Sequence, residues 1–153
     1  MLLNNKNSHW VLVLTFLSVI LPPLGNDIYF ASLPAMALAF KTTHISAMVS
    51  IYLAGFALGQ LFFGPLTERF GRRPVLLVSL FLVLMSCFTI LLTSSFHLLL
   101  LARFLQAVGA CGTLVVVLAI IRDSYTSESI VKVTGVLFAV LGFVPALAPL
   151  LGA

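Results

Sequence analysis

The sequence predicts an all-α fold, a polytopic bundle of about five transmembrane helices. Three observations predict it. Of 153 residues, 61% are apolar and only 8% are charged. That is more apolar surface than a soluble domain of this length can enclose, so lipid must be the solvent for much of it. The apolar residues come in runs close to the ~20 residues that a membrane-spanning helix needs. The runs also lack the period-two alternation of a membrane β-barrel.

Residues 1–9 are polar, include Lys6, and are expected to form a cytoplasmic N-terminus. The first apolar segment covers about 10–32. Pro22 and Pro23 interrupt it, so a kink is expected there. It resembles a signal peptide in its apolarity, but it has no small-residue cleavage site and further runs follow, so it is read as a retained helix. Leu33-Pro34 and Lys41-Thr42-Thr43-His44 mark a loop. The second segment covers about 45–66 and carries a Gly55-Phe56-Ala57-Leu58-Gly59 face, which suits close helix packing. The third covers about 74–92, and Thr93-Ser94-Ser95 is a short polar turn. The fourth covers about 96–121 and the fifth about 130–153, where the small residues Gly135, Gly142 and Gly152 are expected to let helices approach closely. Together, 10–153 read as one transmembrane domain.

Between the second and third segments lies Gly64-Pro65-Leu66-Thr67-Glu68-Arg69-Phe70-Gly71-Arg72-Arg73. It holds Glu68, Arg69, Arg72 and Arg73, in a chain with only eight Lys+Arg and four Asp+Glu. A short basic turn between two membrane-length runs is expected on the cytoplasmic side. Gly64 is expected to let the chain leave the helix or pack close to a neighbour. Gly71 permits a backbone conformation closed to other residues, and Pro74 suits the first turn of the next helix. If the helices alternate, Lys6, Arg69, Arg72, Arg73, Arg122 and Lys132 share one side, and the other side has only Lys41. That asymmetry places the N-terminus and the basic turn in the cytoplasm.

Several function classes have no support. The basic residues are not interleaved with aromatics in a patch, so nucleic acid is not an expected partner. Cys87 and Cys111 lie in apolar runs without metal-ligand spacing and are read as small packing residues. His44 and His97 fall at predicted loops and are read as solvated. No nucleophile–base constellation, phosphate-binding loop or metal cluster is present, so neither catalysis nor a cofactor is expected.

Two charges fall inside the apolar runs. Asp27 lies towards the outer end of the first segment. It is either a proton carrier facing a wet cavity, where low dielectric disfavours the ionised form, or a helix-end carboxylate in the headgroup zone. Arg103 lies in the fourth segment with Gln106 three residues on, on a neighbouring part of the same face. A guanidinium keeps its proton, so it either finds acceptors in the protein core or snorkels to the headgroups.

These residues resemble the motifs of the major facilitator superfamily. Gly64, Leu66, Glu68, Arg69, Gly71, Arg72 and Arg73 fall on its motif A, with Glu68 where Asp is commoner. Arg103, Gln106 and Gly109 fall on motif B, R-x-x-Q-G-x-G, with Ala107 in place of Gly. Gly135, Pro149 and Gly152 match the antiporter motif C, whereas Val144, Ala148 and Ala153 replace its other glycines; Pro145 adds a second bend. Asp27 followed by Leu33-Pro34 resembles the bicyclomycin- and chloramphenicol-exporting branch. The resemblance implies most of an N-terminal half made of inverted three-helix repeats, with the first and fourth helices as counterparts. It implies proton-driven export of drug-like small molecules across a bacterial inner membrane. In it Asp27, Arg103 and Gln106 couple protons to substrate, and motif A gates the cytoplasmic side. Asp123, beside Arg122, joins a charge network with Arg72 or Arg73. The expected partners are the lipid bilayer, protons, a small-molecule substrate and a C-terminal half. The fifth segment stays apolar to Ala153, so the sequence is read as part of a longer protein. A non-transporting fragment and a metabolite carrier are the alternative readings.

Overall fold

The computed structural model describes residues 17–20, 22, 46–125 and 127–152, without side chains at 127 and 144–152. Among these residues the chain is helical and has no strand. Four long helices follow one another: α1 (Ser46–Phe70), α2 (Arg72–Leu92), α3 (Phe96–Ser124) and α4 (Ser127–Gly152). They correspond to the second to fifth apolar segments. Residues 17–20 and Pro22, from the first segment, are also helical. Among the described residues α1, α2 and α3 are long and apolar enough to cross a membrane. At 1.5 Å per residue, the 21 residues of α2 reach about 30 Å, the thickness of the hydrocarbon core.

α3 is the central helix. In its most apolar stretch 56% of residues are buried, against 22% in α1 and 17% in α2. α1 and α2 each pack along α3 but touch each other little, and α4 meets α3 more lightly. The sequence of α3 explains its place. Ala102, Ala107, Gly109, Ala110, Cys111, Gly112 and Thr113 are all buried, and none is large. Helices in lipid gain nothing by hiding apolar surface from one another, so close van der Waals packing holds them together. A methyl group on Gly55 would sit 2.7 Å from the carbonyl oxygen of Phe104, and one on Gly59 2.9 Å from Cys111 Cβ. On α3 itself, a methyl on Gly109 would sit 2.8 Å from the carbonyl oxygen of Ser79. One on Gly112 would overlap Ser79 Oγ and lie 2.7 Å from Phe63 Cε1. Larger apolar residues close the remaining spaces. Phe63, Val75 and Val116 join α1, α2 and α3 at one end. Val19, Val117, Ile121 and Leu137 join the first helical stretch, α3 and α4.

Buried hydroxyls have no water to bond, and they turn back onto their own helices. Ser79 donates to the Val75 carbonyl at 2.8 Å, Ser86 to Leu82 at 2.7 Å and Thr113 to Ala110 at 2.7 Å.

The structure corrects two sequence expectations. The stretch from Gly64 to Phe70 is not a loop but the last turns of α1, and Gly71 alone separates α1 from α2. Pro65 is exposed and inside the helix. It removes one backbone bond, while the helical spacing of buried Phe63 and Thr67 carries on past it, and Thr67 Oγ1 donates to the Phe63 carbonyl at 2.6 Å. The break waits for Gly71, at φ 85° and ψ 167°, a region open to glycine almost alone. Gly64 therefore does not end the helix, and no described atom lies within 4 Å of a methyl built there. The second correction concerns α4. Gly135 and Gly142 were expected to bring helices close, but each is exposed with no described atom within 4 Å of a built methyl. α4 meets α3 through Leu137 and its apolar neighbours instead.

The packing predicts the outcome of adding single methyl groups. Gly112→Ala should destabilise the chain by about 1–3 kcal/mol, the usual cost of overpacking. Gly64→Ala should be neutral or stabilise it by up to about 1 kcal/mol through helix propensity. Thermal unfolding of both variants in the same detergent measures the contrast.

Candidate transport-coupling site

Two polar centres lie on this scaffold. The first is at the end where α1 meets α2 and α3 terminates. Gly71 turns the chain within one residue, which places Arg72 and Arg73 in the first turn of α2. Asp123 is in the last turn of α3. Arg72 Nη2 and Asp123 Oδ2 form an ion pair there, which chooses Arg72 over Arg73 as the partner of Asp123. Both groups are partly exposed, with side chains at 36% and 49%. Arg69 lies over the Phe70 ring, 5.6 Å from its centroid. Glu68, Arg73 and Arg122 are exposed around this pair.

The placement of the pair is unusual for helix ends. The start of a helix carries partial positive charge and its end partial negative charge, each worth about 0.3–1 kcal/mol to a nearby ion. Arg72 and Asp123 both stand at the end of the wrong sign. α2 has no acidic residue in its first turn to offset the arginines.

The second centre is inside the bundle, on α3. Arg103 is 2% exposed and Gln106 5%. Arg103 Nη1 donates to Gln106 Oε1 at 3.0 Å, one helical turn along. Arg103 therefore lies in the core and does not snorkel. Gln106 Nε2 in turn donates to Cys87 Sγ on α2, at 3.2 Å. This corrects the expectation that Cys87 is only an apolar packing residue. Cys111 does behave as one, fully buried against Gly59. Sequence inspection missed Cys87 because it is nineteen positions from Gln106. The available signal was the spacing of Ser79 and Ser86, both buried, which mark the face of α2 turned to α3, beside Cys87.

The remaining sequence candidates are not brought into these centres. Asp27 lies outside the described residues, as do Lys6, Lys41, His44 and the Leu33-Pro34 step. Pro145, Pro149 and Gly152 fall where only the helical backbone of α4 is described. His97 is exposed at the start of α3, with its ring edge-on to Phe96 at 6.5 Å.

Apolar helices long enough to cross a membrane, joined through glycine contacts, are the architecture of an integral membrane protein. The chain belongs to the Major Facilitator Superfamily, whose family model matches residues 15–153. It is 39% identical, over 99% of its length, to a chloramphenicol resistance protein of Pseudomonas aeruginosa. It is 36% identical, over 92% of its length, to the multidrug resistance protein MdtL of Salmonella typhi and to that of Salmonella newport (strain SL254). It spans 38% of the first of these relatives and 36% of the other two.

Two outcomes follow from the site. Asp123→Arg and Arg72→Asp should each lower thermal stability, by under about 1 kcal/mol for so exposed a pair. The double exchange should restore stability or exceed it, because each charge then suits its helix end. Melting temperatures of the four proteins at low salt test this. Arg103→Lys should destabilise the chain by about 1–3 kcal/mol, since an ammonium cannot reproduce the guanidinium fork in a dry site. Denaturant titration in detergent measures it.

Proposed function

We propose that this chain serves in a transporter of its relatives' full length, one that exports drug-like small molecules in exchange for protons. The observation that carries this reading is its similarity, along nearly the whole chain, to relatives named for chloramphenicol and multidrug resistance. The buried Arg103–Gln106 pair supports it, because an ionised side chain kept in the apolar interior of a membrane protein is a functional group by default.

In this reading Asp27 takes up a proton from the outer side and releases it inward, in exchange for substrate bound near the membrane midplane between two halves of the complete transporter. Arg103 and Gln106 supply fixed positive charge and hydrogen bonds near that pathway. The ion pair of Arg72 with Asp123 ties α2 to α3 at the cytoplasmic side, and its making and breaking gates that side together with Glu68, Arg69, Gly71 and Arg73. The protein lies in the bacterial inner membrane with its N-terminus in the cytoplasm, as the distribution of Lys and Arg implies. The partial likeness of α4 to the antiporter motif, at Gly135, Pro149 and Gly152 with Pro145 as a second bend, supports export.

Proton release from everted membrane vesicles tests the reading. Adding chloramphenicol to energised vesicles that carry the complete transporter should collapse part of the pH gradient. Asp27→Asn should abolish that response with the protein still in the membrane. A response that survives the substitution removes Asp27 from the mechanism. A wild-type protein indifferent to chloramphenicol and to other drugs favours the metabolite carrier.

A further inference from the structure

Arg103 has only donors to offer, so whatever bonds it must accept. Gln106 has both kinds of group, and its amide can sit in either of two orientations. Only the one with Oε1 towards Arg103 makes the 3.0 Å bond. That orientation sends Nε2–H the other way, across the helix interface to α2. The group that meets it there is Cys87 Sγ, at 3.2 Å. Ser86, the neighbouring polar residue on α2, donates its own proton to the Leu82 carbonyl. Gln106 is 5% exposed, so no water replaces an acceptor that is lost.

We propose that Cys87 is a positioning residue. By accepting the Gln106 Nε2–H it holds the amide with Oε1 towards Arg103, and through it holds the guanidinium. The sulfur is the end of a one-way chain of donors: Arg103 to Gln106 to Cys87. Because α2 supplies the last acceptor, the orientation of a side chain on α3 depends on the register of α2 against α3. The glycine contacts bring the two helices close in that register: a methyl group on Gly109 would sit 2.8 Å from the Ser79 carbonyl oxygen. Cys87 touches neither substrate nor proton in this scheme, and acts only through Gln106.

The test is selective nitrogen-15 labelling of glutamine and arginine in the 153-residue chain, held in lipid nanodiscs. The chain has two glutamines, Gln106 and the exposed Gln60, so the side-chain amide spectrum has an internal reference. Cys87→Ala should move the Gln106 amide signals and speed rotation of the Arg103 guanidinium, with Gln60 unchanged. Cys87→Ser, whose oxygen also accepts, should keep both near wild type. Cys111→Ala, which removes the other thiol, should leave both in place. Gln106 and Arg103 signals that ignore Cys87→Ala overturn the proposal. If Cys87→Ala does not fold, the wild-type chain decides: a nuclear Overhauser contact between the Gln106 amide protons and Cys87 Hβ is required, and its absence overturns the proposal.

The consequence for transport rests on the export reading. In the complete transporter Cys87→Ala should lower turnover about tenfold, as when a buried donor loses its acceptor. Cys87→Ser should stay within about twofold, because a hydroxyl oxygen accepts in the same place. Normal turnover in Cys87→Ala overturns the positioning role. A wild-type transporter that exchanges no protons refutes the export reading instead, and the amide and guanidinium spectra still decide for or against Cys87.

Discussion

Between Gly109 of α3 and the Ser79 carbonyl of α2 there is no room for a methyl group. The same is true where Gly55 of α1 meets the Phe104 carbonyl. The rest of the structure depends on this closeness. Lipid offers helices no hydrophobic reason to associate, so contact must come from surfaces that fit to within a fraction of an ångström. Lipid also leaves no polar group a solvent, so every hydroxyl and amide must find a partner in the protein. The two demands meet on α3. Small residues let α1 and α2 approach, and their approach brings Cys87 within hydrogen-bond distance of Gln106.

The charges at the helix ends obey a different logic. Arg72 and Asp123 would each be more comfortable at the opposite end of a helix. Their pairing offsets the misplacement only weakly, because both are half in solvent. A pair that does little for stability and breaks a local rule is better suited to switching than to holding, since little energy separates its closed and open forms. This is what a gate between helices requires, and it fits the export reading of the complete transporter.

Much of the fold was legible in the sequence. Apolar runs of membrane length marked α1 to α4, and Thr93-Ser94-Ser95 marked the turn between α2 and α3, where Ser95 N donates to Thr93 Oγ1 at 3.2 Å. The i, i+3 spacing of Arg103 and Gln106 put them on one face, and they are bonded there. The ends of α1 and α4 were less legible. Gly64 and Pro65 look like a break, but an exposed proline costs a helix one backbone bond, and the apolar periodicity continued past it. Gly135 and Gly142 look like packing residues, but a glycine packs closely only if another helix arrives, and none does among the described residues.

What the sequence by itself determined was the all-α membrane architecture, the family and the residues fit to carry charge inside the bilayer. Composition and local spacing decide the architecture, because a helix satisfies its own backbone and needs no knowledge of its neighbours; the likeness to the family was carried by the motif residues. Only the tertiary structure decided that α3 is central, that Asp123 pairs with Arg72 and not Arg73, and that Cys87 accepts from Gln106. Each of these joins residues on different helices. Which side chains meet there is set by the register and depth of contact between helices, and that geometry follows from the combined shape of all the surfaces in contact, not from the pattern along any one of them.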